Sequence, residues 1–242
     1  TTGLPLWSYK TGNNPFWPSA AVANGIVYIG NTDGNLDALN ALTGTPIWTT
    51  TMSAGTYSSP TVVNDVIYVG TGSSVSAFDS LNGLLLWNQK GVGNTIGGSP
   101  AVYKGVIYIA TIYTGALDAL DAKTGNILWS GAISDGTNGS PTVSNGIVYV
   151  NSWTQSTAST NLYAFNASGC GGGATCLPLW IASSGRASDN QIPSLALANG
   201  VVYVGGTSSN NDATFYAFNA KTGALLWSWT NNLSVDGYNA SA

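Results

Sequence analysis

Three landmarks return in one fixed order along the chain at a period of about 40 residues, and this repetition constrains the fold more than any other feature. The run Asn24-Gly25-Ile26-Val27-Tyr28-Ile29-Gly30 comes back as Asn64-Asp65-Val66-Ile67-Tyr68-Val69-Gly70, and again around Tyr108, Tyr149 and Tyr203. A serine stands nine residues before each tyrosine, at 19, 59, 99, 140 and 194. A tryptophan closes each unit, at 7, 48, 87, 129, 180 and 227.

Each unit reads as four short strands. Asn24-Gly25 and Asn145-Gly146 between β-branched runs are the strongest short-range hairpin signal, so the first two strands meet there. The third strand carries Leu36-Asp37-Ala38-Leu39 or Phe215-Tyr216-Ala217-Phe218 and turns through an Asx residue and a glycine into the fourth, which ends in Trp. Too few apolar residues fall at helical spacing between so many glycines for a helix. Tandem four-stranded antiparallel units of this length make an all-β propeller. Five complete blades are expected at about 16–49, 56–90, 96–131, 138–182 and 191–230, in a single domain spanning 1–242, with partial strands at 4–9 and 239–242. Six tryptophan strands against five tyrosine strands leave segment 4–9 as a surplus N-terminal strand. Either the polypeptide continues to complete a ring, or that strand pairs elsewhere.

The pattern Ala-x-[Asn/Asp]-x-x-[Thr/Asn]-Gly-x-x-x-Trp runs from Ala38 to Trp48, Ala77 to Trp87, Ala119 to Trp129 and Ala217 to Trp227, and in interrupted form from Ala164 to Trp180. It resembles the tryptophan-docking motif of the PQQ-like, quinoprotein-type propeller repeats. The resemblance implies that Trp48, Trp87, Trp129, Trp180 and Trp227, with Trp7 from the surplus strand, pack between blades against the small alanine of their own unit and the backbone of a neighbour. It also raises quinone catalysis, but the calcium-ligating Glu and the adjacent cysteine pair of the quinoprotein dehydrogenases have no counterpart here.

Composition narrows the chemistry further. Only 7% of residues are charged; all ten acidic residues are Asp, Arg186 is the single arginine, and there is no His. A histidine-based triad, a histidine metal site and a glutamate general acid cannot be built. Six scattered cations on a chain of net charge −4 offer no basic stripe for nucleic acid or anionic lipid. No run approaches the ~20 apolar residues of a membrane span, and Thr1-Thr2-Gly3 shows no charged start before an apolar run, so a soluble chain without membrane insertion is expected.

Cys170 and Cys176, flanking Gly-Gly-Gly-Ala-Thr in the third-to-fourth-strand turn of the fourth unit, are expected to form a local disulfide, which fits an oxidising compartment. Asp33-Gly34-Asn35-Leu36-Asp37 resembles the opening of a calcium loop but lacks the bidentate Glu, so a structural turn is expected and no metal. Asn138, Asn166, Asn232 and Asn239 begin sequons; Asn138 runs directly into Gly-Ser-Pro, and the other three sit where a glycan could project. Trp17, Trp153 and Trp229 lie outside the repeat positions and could line a groove or fill a contact.

The expected function is a non-enzymatic structural or binding propeller without cofactor, extracellular or at the cell surface, with the periplasm as second choice. Its partners are expected to be other proteins or copies of itself, met through strand edges and loops, and a self-assembling filament is one form of this. The alternatives are a fragment of a quinoprotein-type enzyme or sensor, and a periplasmic assembly scaffold.

Overall fold

The computed structural model describes residues 3–13, 18–92, 97–111, 115–133, 136–137, 139–154, 157–172, 174–186, 193–207 and 212–231. The first blade contains β1 (Ala21–Ala23), β2 (Ile26–Gly30), β3 (Asn35–Asn40) and β4 (Pro46–Thr51). The second contains β5 (Thr61–Val63), β6 (Val66–Thr71), β7 (Ser74–Asp79) and β8 (Leu85–Lys90), and the third β9 (Ala101–Tyr103), β10 (Val106–Ala110), β11 (Ala116–Asp121) and β12 (Ile127–Ala132). The fourth is built from β13 (Thr142–Ser144), β14 (Ile147–Thr154), β15 (Ser159–Asn166) and β17 (Trp180–Arg186), with a two-residue strand β16 (Thr175–Cys176) between the last two. The fifth comprises β18 (Ala196–Ala198), β19 (Val201–Thr207), β20 (Ala213–Asn219) and β21 (Leu225–Asn231). Within every blade the strands pair antiparallel in chain order, and a single bridge, Arg186 to Thr207, joins the fourth blade to the fifth.

The first hairpin turns follow from local chemistry. Asn24, Asn145 and Asn199 sit at φ near +50° and are followed by Gly25, Gly146 and Gly200 at φ 75–78°, the left-handed pair that matches strand twist. At the other tight turn the Asx carboxamide or carboxylate oxygen accepts two backbone N–H groups: Asp79 from Leu81 and Asn82, Asp121 from Lys123 and Thr124. That Asx turn leads the chain from third strand to fourth, and backbone bonds close it: the Gly83 N–H donates to the Asp79 carbonyl at 2.9 Å and the Gly125 N–H to the Asp121 carbonyl at 2.8 Å.

Apolar burial lies between blades. One cluster joins Tyr28, Leu36 and Ala38 of the first blade to Ile67, Val69 and Phe78 of the second. The next three clusters are shared in the same way by the second and third, third and fourth, and fourth and fifth blades. Each blade is therefore a two-faced layer that completes its core only against a neighbour.

Segment 4–9 departs from its expectation as a strand. It forms no ladder, and the chain instead lies against the first blade, with Trp7 on the turn at Gly44 and Thr11 donating to Asp37. Residues 239–242 and Trp17 fall outside the described residues.

The insertion in the fourth unit also does more than lengthen a turn. Its β16 crosses to the third blade and pairs in parallel with the outer strand β12, through Ser130–Thr175 and Gly131–Cys176, giving that blade a fifth strand. The Ser130 N–H donates to the Ala174 carbonyl at 2.9 Å.

Candidate functional site

The repeat landmarks converge on the junctions between blades. In each blade the tyrosine of the second strand, the alanine of the third and the tryptophan of the fourth are direct register partners: Tyr28–Ala38–Trp48, Tyr68–Ala77–Trp87, Tyr108–Ala119–Trp129, Tyr149–Ala164–Trp180 and Tyr203–Ala217–Trp227. All five alanines are fully buried. A methyl side chain leaves a valley in which the two rings meet, with centroids 5.9–6.1 Å apart in every blade.

From this platform both rings reach the next blade. Trp48 Nε1 and the Tyr28 hydroxyl donate to the Ser80 carbonyl, each at 3.2 Å. Trp87 and Tyr68 converge in the same way on Ala122, and Trp180 and Tyr149 on Ala220. Tyr108 donates to Ala167 at 2.8 Å, and Trp7 to Ala41 at 3.0 Å. The accepting carbonyl always belongs to the residue after the Asx of the turn. Burial raises the pKa of the Tyr28, Tyr68 and Tyr149 hydroxyls and pushes Tyr108 up to about 12, with Tyr103 adding to the effect there, so these groups stay protonated donors.

The indole face rests on the turn glycine of the following blade. Trp7 lies on Gly44, Trp48 on Gly83, Trp87 on Gly125, Trp129 on Gly169 and Trp180 on Gly223. Trp227 stands at the equivalent place in the fifth blade, against Tyr203 and Phe215 of its own sheet, and is 46% exposed. Trp129 is the most deeply sealed, at 5%, because the hairpin bearing β16 closes over it.

The serines form the inner counterpart of this joint. The Ser19 N–H donates to Ser59 Oγ, the Ser59 N–H to Ser99 Oγ and the Ser99 N–H to Ser140 Oγ, at 2.8–3.0 Å. Sequence reasoning found these serines as markers without a role; their constant distance from the tyrosine was the available signal.

Cys170 and Cys176 are joined, with Cα atoms 5.5 Å apart. Cys170 is exposed, whereas Cys176 is buried in the cluster around Trp129 and Phe165. Replacing both with serine is expected to leave a folded protein but to cost about 2 kcal/mol from loop closure alone. Hydrogen exchange should then rise at Ser130, where β16 meets the third blade; denaturant unfolding and exchange on the double variant check this.

The other sequence candidates scatter. Asp33 Oδ2 accepts the Asn13 N–H at 2.7 Å, and Asp37 accepts the hydroxyls of Thr11 and Thr49; the calcium-like run thus anchors the N-terminal segment. No group of three or more Cys or Asp able to hold a metal occurs among the described residues. Asn166 ends β15, is exposed, and its side-chain oxygen accepts the Ser168 N–H. Asn138, Asn232 and Asn239 lie outside the described residues. Trp153 is half-buried, and Trp229 is exposed and pairs with Phe215.

Asp118 carries a pH effect. It is buried beside Ser130, which donates to it, and burial outweighs that bond to raise its pKa above the usual 3.8. The folded chain therefore holds this proton more tightly than the unfolded chain, and unfolding free energy declines as pH rises through the window above 3.8. Asp118→Asn should remove that decline, matching the parent at low pH and exceeding it at neutrality. Urea titrations between about pH 3 and 7 provide the measurement.

Comparison with known proteins adds to this geometry. A family model described as outer membrane protein assembly factor BamB matches residues 1–111 and 72–227. Tetrathionate hydrolase of Acidithiobacillus ferrooxidans is 26% identical over 203 residues, which is 79% of this chain and 40% of that protein. Outer membrane protein assembly factor BamB of Moranella endobia is 32% identical over 164 residues, 61% of this chain and 41% of that one. The chain thus spans about two fifths of the length of these curated relatives. Among solved structures, BamB from Moraxella catarrhalis superposes with a TM-score of 0.67 at 22% identity, over 88% of this chain and 61% of that one.

Proposed function

The chain belongs to the propeller family described as outer membrane protein assembly factor BamB, and from that premise we propose that it is a non-enzymatic scaffold that binds other proteins through blade edges and loops. The observation that carries this reading is the use of the landmarks: Ser, Tyr, Trp, the turn carbonyl and the turn Gly all serve blade-to-blade contacts. The relatives named as assembly factors support the same class. A sequence with no His and no Glu supports it against quinone chemistry, although relatives named as quinone-dependent alcohol dehydrogenases align with part of the chain. The disulfide and the relatives' outer-membrane naming support a place on the exported side of a cell envelope, in the periplasm or at the surface.

Photo-reactive residues at exposed loop and edge positions, such as Leu42 and Leu128, should give discrete protein adducts in the source cells, while the same probe at Ala38 gives none. Substrate-dependent dye reduction by the purified chain, loaded with quinone and calcium, would overturn the reading.

A self-assembling form of this scaffold has one specific support: Trp227 is a docking tryptophan with its outer face exposed, and Trp7 shows that such a residue can dock from outside the five blades. Sedimentation of the chain against a variant lacking residues 1–9 tests it. Polymers that vanish on the deletion are expected, and a parent chain that stays monomeric at high concentration removes the idea.

A further inference from the structure

The third blade shows what an outer strand of this protein can accept. β12 carries an irregularity, because Ala119 pairs with Trp129 while Leu120 pairs with Ile127, leaving Leu128 as the extra residue. Beyond that bulge its free edge takes β16 in parallel, and Cys176 enters the cluster around Trp129. The occupant there is short, extended and uncharged, and it places a small apolar side chain beside the docking tryptophan.

Among the described residues the second blade presents the same edge uncovered. β8 has the same bulge at Leu86, since Ala77 pairs with Trp87 and Phe78 with Leu85, and it is the last strand of its sheet. Asn88 and Gln89 follow Trp87 as Ser130 and Gly131 follow Trp129, so Asn88 corresponds to the residue whose N–H faces β16. Both neighbouring blades are in place, so the exposure of β8 is a property of the fold itself. Leu84, Leu85 and Leu86 are 65%, 55% and 51% exposed. From Leu81 to Gln89 no charge or proline guards the edge; Lys90 ends the strand, and the bulge is one that β12 shares while accepting β16. By contrast, β4 opens on Pro46.

We propose that β8 is a strand-addition site for an extended, uncharged peptide segment of a partner protein, bound in parallel register with a small apolar side chain against Trp87. The backbone bonds supply affinity and the leucines an apolar footing. This inference rests on the protein-binding reading above and specifies its surface and partner.

The test uses the intact chain with its disulfide closed, so that β12 stays occupied. The probe is a synthetic peptide with the sequence of residues 172–177 carrying Cys176→Ala. At millimolar peptide, exchange of the Asn88 amide should slow by about tenfold or more. An N-methylated version of the peptide should leave it unchanged, and Leu85→Lys in the chain should weaken the effect. Unchanged exchange at Asn88, equal slowing by the methylated peptide, or slowing confined to β12 would each overturn the proposal. A chain that fails here yet still forms adducts at Leu42 or Leu128 binds partners by another surface, which separates the two failures.

Discussion

Trp129→Ala is expected to lower the unfolding free energy by about 3–5 kcal/mol, the cost of emptying a large, enclosed aromatic site. The site is the most enclosed of its kind: Trp129 is buried among Tyr108, Phe165, Ile133 and Cys176, with Gly169 beneath its ring. Those neighbours belong to two blades and to the crossing hairpin, so they cannot collapse together into the void without moving three backbone segments. Trp153→Ala provides the comparison, because Trp153 is only half-buried and lies outside the repeat positions, and it should cost markedly less. Denaturant midpoints for the two variants settle the matter, and equal small losses would remove the inter-blade role of Trp129.

The second large effect comes from the other half of the joint. Gly125 has φ +77°, and a Cβ built there would lie 2.6 Å from Cε3 of Trp87. Gly125→Ala combines a left-handed backbone penalty of about 1–2 kcal/mol with overpacking of about 1–3 kcal/mol as the indole is pushed off its seat. A loss of about 2–5 kcal/mol is expected. It should shrink in the Trp87→Ala background, where the overpacking disappears and only the backbone penalty persists. A double-mutant cycle on Gly125 and Trp87 measures that coupling. Strict additivity would mean the glycine is needed for its turn alone.

Much of this architecture was legible in the sequence because it repeats. Asn24-Gly25 specifies a turn through local backbone preference, and the tryptophan spacing specifies the blade. What the spacing could not give is which atoms the landmarks reach. Tyr28 and Trp48 share the Ser80 carbonyl only because β2, β3 and β4 place them in one register across Ala38, and that register is a property of three strands together. The exposed Ile47, Leu86, Leu128 and Leu226 before their tryptophans look like failed alternation in sequence; a bulge at each explains them, and a bulge has no local signature here. The interaction surface was less legible still. Cys170 and Cys176 point to a hairpin, yet nothing in their spacing says that Thr175 and Cys176 lie on a different blade.

The blade joint has a direction. One side supplies only donors and an aromatic ring, from Tyr68 and Trp87; the other supplies only an acceptor and a bare seat, from Ala122 and Gly125. A blade cannot bind its own kind face to matching face, and it cannot be inserted backwards. Every blade presents the same socket ahead of it and the same plug behind, so duplicating one whole unit in the gene adds a layer that fits both neighbours at once. Fitness under such copying places the burden of change on residues outside the joint, where Cys170–Cys176 shows one unit already diverging while its plug, Tyr149 and Trp180 on the Ala220 carbonyl, is kept.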